Sequence, residues 1–317
     1  MPNRKQSPAR RDTKVSAGIV LFCRDGSGAA PGNRTNCEAL ACGLRNGKAV
    51  SACEALRALV VRKRFTYAFS EFVHGKYSRF AARPISGSQH GSRKSSGALA
   101  RMFAKMTTAE LLDIQSLNFD MIWSRLWHGR TDGETYRRRR AKFESLVLHD
   151  GGRAVRSAVG AVDVKSTVPW EIPKGHKQFS SETDLSCAIR ELGEETGFRH
   201  DSFVVLPNFS RVVSYTQHGT RYVTTYFPAI LKPGRSARCR GNSDWRVAVP
   251  MANRQMVAEI SEIRWMDVND IRMVDDEHKH LETTIRPFFK YAKKHLRFSW
   301  DDCSKKATMC PSQGACV

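Results

Sequence analysis

The apolar positions of this chain change their period twice. Val15-Ser16-Ala17-Gly18-Ile19-Val20-Leu21-Phe22 is a nearly continuous β-rich run, the pattern of a strand buried on both faces. Ala55 to Arg62 (ALRALVVR) predicts a second strand, running into the basic cluster Arg62-Lys63-Arg64. From about 65 to 150 the spacing becomes helical. ALARMFAKM, AELLDI, FDMIWSRLW and AKFESLVLH carry apolar residues three or four apart and are separated by Gly, Ser and Thr. Strand patterns are expected again around 154 to 172, at Phe203 to Leu206, Ser210 to Thr216, Arg221 to Leu231 and Ile260 to Met266. A closing helix fits Leu281 to His295.

These patterns describe an α/β domain interrupted by an all-helical insert. Residues 1–13 form a basic arm expected to be disordered, and 14–64 the first α/β part, with a Gly- and Asn-rich loop insertion at 24–52. Residues 65–150 are the helical insert, 151–298 the second α/β part and 299–317 a loose tail.

Composition narrows the partners. With 317 residues and 41% hydrophobic content the chain can bury a sizeable core, and its net charge of +21 points to nucleic acid or another polyphosphate. No apolar run reaches the roughly 18 residues a membrane span needs, and the start MPNRKQSPARRDTK has no signal-peptide core, so the chain is expected to be soluble and intracellular. The nine cysteines include no C-x-x-C pair. The spacing of Cys37, Cys42 and Cys53 does not suit a zinc knuckle, and free thiols in a reducing compartment are expected.

The chemistry concentrates in GHKQFSSETDLSCAIRELGEETGF, residues 175 to 198. Thr183 and Asp184 suit a helix N-terminus, Leu185, Ile189 and Leu192 a core-facing stripe, and Gly197 a C-terminal stop. Glu191, Glu194 and Glu195 then share one face, where like charges repel unless a divalent cation lies among them. Hard carboxylate oxygens suit Mg²⁺ or Mn²⁺ bridging phosphates, whereas zinc would call for His or Cys. Arg190 is suited to holding these glutamates in register by bidentate pairing, and Glu182 to orienting the loop or a metal-bound water.

This segment resembles the Nudix box: Gly175, Glu182, a seven-residue gap, Arg190-Glu191, Leu192, Glu194-Glu195, Gly197 and Phe198 follow its order. One departure is that six residues, not five, separate Gly175 from Glu182. The resemblance implies an α/β/α sandwich, bound Mg²⁺ or Mn²⁺, and hydrolysis of a nucleoside diphosphate linked to another group. Three further stretches resemble Nudix mRNA-decapping enzymes of large DNA viruses, of the poxvirus, African swine fever virus and giant-virus type. They are Phe72-Val73-His74-Gly75-Lys76-Tyr77, a helix over Leu111 to Trp127, and Trp170-Glu171-Ile172-Pro173-Lys174-Gly175. Glu259-Ile260-Ser261-Glu262-Ile263-Arg264-Trp265 resembles the strand carrying a late glutamate near the metals. That match implies Glu259 as general base or additional ligand, with Glu262 as the alternative; strand alternation would put Glu259, Ser261 and Ile263 on one face unless a bulge intervenes.

The resemblance implies release of 7-methyl-GDP and 5′-monophosphate RNA, with Glu191, Glu194, Glu195 and Glu259 holding metal. Glu259 or a box glutamate takes the proton, and Lys174 steadies a phosphate. A cationic methylguanine would stack on an aromatic ring, for which Trp170, Tyr215, Tyr222, Phe65 and Tyr67 are available. Arg137, Arg138, Arg139, Arg140 and Lys142, with Arg153 and Arg156, form a basic patch suited to an RNA backbone, which Lys76 and Lys63 could extend. The competing substrates are inositol pyrophosphates or nucleotides, and a catalytically dead RNA-binding protein is a third reading. A viral origin implies host cytoplasm or the virion; oligomeric state stays open.

Overall fold

The computed structural model describes residues 13–24, 44–45, 48–49, 56–77, 99–127, 133–148, 150–163, 167–217, 220–232, 245–250, 253–275 and 280–307. In chain order the strands are β1 (Thr13–Arg24), β2 (Leu44–Arg45), β3 (Lys48–Ala49), β4 (Leu56–Lys63), β5 (Trp170–Glu171), β6 (Lys174–His176), β7 (Phe203–Val205), β8 (Arg211–Gln217), β9 (Thr220–Leu231), β10 (Arg246–Val247) and β11 (Ile260–Met266). The helices are α1 (Tyr67–Val73), α2 (Thr108–Gln115), α3 (Phe119–Trp127), α4 (Glu134–Val147), α5 (Arg153–Gly160), α6 (Asp184–Thr196), α7 (Arg254–Glu259), α8 (Val268–Val274) and α9 (His280–Ala307).

The main sheet has the order β10-β11-β4-β1-β9-β7, with β5 on β4, β6 on β1 and β8 on β9. β1 lies centrally, parallel to β9 and antiparallel to both β4 and β6. Its apolar run is continuous because both faces are covered. Ala17, Ile19, Leu21 and Cys23 face one core, with Cys187, Ala188 and Leu192 of α6. Val20 and Phe22 face a second core, with Ile285, Phe288 and Phe289 of α9. The result is the expected α/β/α sandwich. Gly18 permits the close crossing of β6: a Cβ there would lie 2.5 Å from the Pro173 carbonyl oxygen.

The helices between β4 and β5 build a third core of their own around Phe69, Phe72, Phe103, Ile122 and Phe143. Three expectations are corrected here. Residues 153–160 are helical, not strand, because Val155, Ala158 and Val159 repeat at helical spacing and join this third core. The single helix expected over Leu111 to Trp127 is two, broken at Leu117 (φ 55°), after which Asn118 accepts a hydrogen bond from the Met121 amide. The closing helix runs on to Ala307, into the stretch expected to be tail. The arm before residue 13, the loop insertion apart from β2 and β3, and residues 308–317 lie outside the described residues. No described helix is long and apolar enough to cross a membrane.

Glu110 joins the helical layer to the end of β4. It is 3% exposed and accepts from the Thr66 amide (2.6 Å), the Thr66 hydroxyl (2.8 Å) and the Thr107 amide (2.8 Å), while Thr66 caps α1. Glu110→Ala strands these donors in the interior and is expected to destabilise the protein by about 2–4 kcal/mol, measured by urea unfolding; a loss below about 0.5 kcal/mol would show that the link is unimportant.

Candidate active site

The acidic helix α6 starts at Thr183, whose hydroxyl accepts from the Ser186 amide, and stops at Gly197 in the left-handed region (φ 72°). One side enters the core through Cys187, Ala188 and Leu192, with Leu185 and Ile189 partly buried beside them. The glutamates project past the end of this stripe toward β6, β5 and the end of β4.

Arg190 organises the first half of the site. Its guanidinium donates to Glu182 (2.9 and 3.2 Å), Glu191 (2.8 Å), Glu194 (3.1 Å) and the His176 carbonyl oxygen (2.8 Å). Glu182 also accepts from the Gln178 amide, so it ties the loop to the helix. These bonds from Arg190 and Gln178 hold the Glu182 carboxyl below its usual range. Gly175 is needed for space: a Cβ there would lie 2.0 Å from the Glu191 carboxyl carbon. The extra loop residue thus leaves Gly175 directly under Glu191.

The second half is a chain of alternating charges. Lys174 pairs with Glu171; Lys63 lies 4.0 Å from Glu171 and bonds to Glu195 and, at 2.5 Å, to Glu259. Glu195 is 2% exposed, and its Oε2 is buried with no hydrogen-bond partner among the described residues. Burial pushes the Glu195 carboxyl up to about 8, with Glu171 adding to the rise and Lys63 and Lys174 opposing it. Burial would lower Lys63, but the charges of Glu195, Glu171 and Glu259 outweigh it and hold the ammonium well above the lysine range. Burial likewise opposes ionisation of Glu171, yet Lys174 and Lys63 bring it below the usual carboxylate range. Glu191 is raised chiefly by burial, against Arg190 and with help from Glu194 and Glu259.

Glu259 is the last residue of α7, not a strand residue, and a register shift between Ile260 and Glu262 interrupts the alternation of β11. Ile260 and Ile263 therefore both enter the core under α6. Glu262 is held by Arg264 (2.7 Å), Arg246 (3.2 Å) and Arg62 (3.5 Å), which leaves Glu259 as the late glutamate of the cluster. Glu171 and Lys63 are the site residues that sequence reasoning missed. Glu171 sat in view inside the Trp170 to Gly175 motif, whereas Lys63 looked like one more member of a basic cluster.

The donor set fits a hard cation: carboxylates with one buried oxygen lacking a partner. As they stand, no three His, Cys, Asp or Glu side chains among the described residues converge as metal ligands; Arg190 bonds to one oxygen each of Glu191 and Glu194, and Lys63 to one oxygen of Glu195.

Other expected residues lie apart. Lys76 pairs with the buried Glu71 (2.6 Å), and Lys142 lies over the Tyr77 ring (5.6 Å). Both belong to the helical layer, as does the whole Phe72 to Tyr77 motif, with Phe72 and Tyr77 in its core. The four arginines diverge around α4. Arg140 pairs with Glu144 and Asp120, Arg137 with Glu134, and Arg138 is exposed. Burial, with Lys76 and Arg139 adding to it, lowers the His74 pKa, while burial raises that of Tyr77 against the charge of Arg139. Arg153 and Arg156 donate to nearby backbone carbonyls.

The aromatic candidates separate clearly. Trp170 is buried, with Arg62 (4.3 Å) and Arg264 (5.4 Å) over its ring, and Phe65 stacks on Phe69 against the helical core. Tyr215 and Tyr222 instead stack on each other (5.0 Å, 11°), Tyr222 reaches the Tyr67 hydroxyl at 3.2 Å, and Lys14 lies over both the Tyr67 and Tyr222 rings. Tyr67 and Tyr215 are each 48% exposed. The ledge of Tyr215 and Tyr222 lies on β8 and β9, and only β1 separates β9 from β6, which carries Lys174. Burial raises the Tyr215 pKa, with Lys174 opposing it and Tyr222 and Glu171 adding to it.

The NUDIX domain family matches residues 154–288. An African swine fever virus protein named mRNA-decapping protein g5R (isolate Warthog/Namibia) is 33% identical over 245 residues, spanning 77% of this chain and 91% of its own. The same protein from isolate Pig/Kenya matches to the same extent. A crystal structure of a C. elegans Ap4A hydrolase covers 88% of this chain at 12% identity, with a TM-score of 0.35.

Two outcomes test this geometry. A cation needs Glu195 as carboxylate, so Mn²⁺ affinity should rise by roughly tenfold per pH unit below about 8 and level off above it; a flat calorimetric profile from pH 6 to 9 would remove Glu195 from the ligand set. Gly175→Ala should displace Glu191 and weaken Mn²⁺ binding by about tenfold or more without loss of fold by circular dichroism, whereas unchanged binding would exclude Glu191.

Proposed function

The chain belongs to the Nudix family of pyrophosphohydrolases, and from that premise we propose that it decaps mRNA, using Mg²⁺ or Mn²⁺ to yield 7-methyl-GDP and 5′-monophosphate RNA. The reading rests above all on one juxtaposition: a tyrosine ledge, with Tyr67 and Tyr215 exposed and Tyr222 half-buried between them, near the carboxylate and lysine network. A cationic methylguanine suits such electron-rich ring faces, while its triphosphate bridge suits cations beyond them. The named function of the viral relatives, which align along most of this chain, supports the same substrate.

In this mechanism Glu191, Glu194 and Glu195 would hold the cations. When bound, these neutralise phosphate charge and lower the pKa of a water. Glu259, half exposed and at the mouth of the network, is the base that accepts the proton of the attacking water. Lys174 directs positive charge toward a bridging phosphate oxygen while Glu171 holds its ammonium in position. Arg190 keeps Glu182, Glu191 and Glu194 in fixed relation. The basic helical layer, with Arg138 exposed on α4, offers a surface for the RNA body. Such a substrate puts the site of action in host cytoplasm.

The test is product analysis on RNA with a labelled methylated cap and Mn²⁺ or Mg²⁺. Wild type should release 7-methyl-GDP, Glu195→Gln should lose at least about 100-fold in rate, and Tyr222→Ala should lose preference for the methylated over the unmethylated cap. Folded wild type that spares capped RNA but cleaves inositol pyrophosphates or free nucleotides would overturn the decapping reading.

A further inference from the structure

The basic cluster at the end of β4 suggests a lysine that tracks RNA, but the Lys63 side chain turns inward and is 22% exposed. Its ammonium joins carboxylates from three separate elements: Glu195 of α6, Glu259 at the end of α7 (2.5 Å) and Glu171 of β5 (4.0 Å). Two consequences follow from this geometry. One Glu195 oxygen is taken by Lys63, while the other, Oε2, is left buried and without a hydrogen-bond partner among the described residues, a want that a cation would satisfy. Glu259, whose side chain is 52% exposed, is fixed by Lys63, so a long flexible carboxylate is held beside the buried one.

We propose that Lys63 is a positioning residue that clamps Glu195 and Glu259 together, presenting the free oxygen of Glu195 to the cation in a fixed direction. The clamp rests on the metal chemistry proposed above. It acts as outer-shell partners of metal-binding carboxylates do: by orienting a ligand, not by touching the metal or the substrate. It also accounts for a half-buried lysine between carboxylates that would otherwise splay apart by repulsion. The opposite possibility is an ammonium that merely occupies the cation's position, and the two differ in sign. Removing a clamp weakens cation binding; removing a competitor tightens it.

The experiment is calorimetric titration of the full chain with Mn²⁺ at pH 8, for wild type, Lys63→Met and Lys63→Arg, with thermal melting in EDTA as the control of fold. The expected result is a 10–100-fold weaker Mn²⁺ affinity for Lys63→Met, a smaller loss for Lys63→Arg, and folded protein throughout. Lys63→Met that binds Mn²⁺ as tightly as wild type, or more tightly, overturns the clamp while leaving the metal chemistry intact. Wild type that binds no Mn²⁺ overturns the metal reading and the clamp with it. Should Lys63→Met melt below the assay temperature, Lys63→Gln is read in its place against the same outcomes.

Discussion

Burying carboxylates side by side is the constraint on which this structure turns. Glu195 is almost wholly enclosed, and Glu171, Glu191 and Glu259 lie within its electrostatic reach or that of its neighbours. An uncompensated buried charge costs several kcal/mol, so the fold must supply cations from its own chain. It does so from three directions: Lys63 at the end of β4, Lys174 on β6 and Arg190 within α6. Each of these elements is itself fixed by the sheet or by the core beneath it. The arrangement leaves the cluster compensated but short of satisfied, as the Glu195 oxygen without a partner among the described residues marks.

The sandwich makes that arrangement possible. β1 is bonded on both edges and covered on both faces, so the crossing of β6 over Gly18 and the seating of α6 have little freedom. The helical layer attaches at the other end of the same segment, where Thr66 starts α1 three residues after Lys63 and is bound by the buried Glu110. Tyr67 is the next residue, and its hydroxyl meets Tyr222 of β9. A short stretch of chain thus contributes a cation to the carboxylates, an anchor to the helices and a ring to the aromatic ledge.

That stretch, with β1 between β9 and β6, keeps the ledge near the charge network. A substrate with a cationic base and a polyanionic bridge needs electron-rich ring faces next to concentrated positive charge, and neither alone would discriminate it from other phosphates. The helical arginines contribute differently. Arg137 and Arg140 are engaged with their own helix or its neighbour, so the positive field of α4 is partly internal and less concentrated than its run of four arginines suggests.

The sequence by itself determined α6, its cap at Thr183, its stop at Gly197, the relation of Arg190 to Glu191 and Glu194, and the main strands, because these depend on spacing within a few residues. Where local signals were ambiguous it misled. The β-branched residues of 153–160 look strand-like, but Val155, Ala158 and Val159 have a helical core to join. The alternation through Glu259 ignores a bulge that only pairing with β4 creates. Only the tertiary structure decided that Lys63 faces inward, that Glu171 joins the site, and which aromatics stay exposed. Lys63 is 132 residues from Glu195 and 196 from Glu259, and no local period spans such gaps. Strand order and register bring those charges together, and burial then strengthens their interaction beyond anything their spacing in the chain could predict.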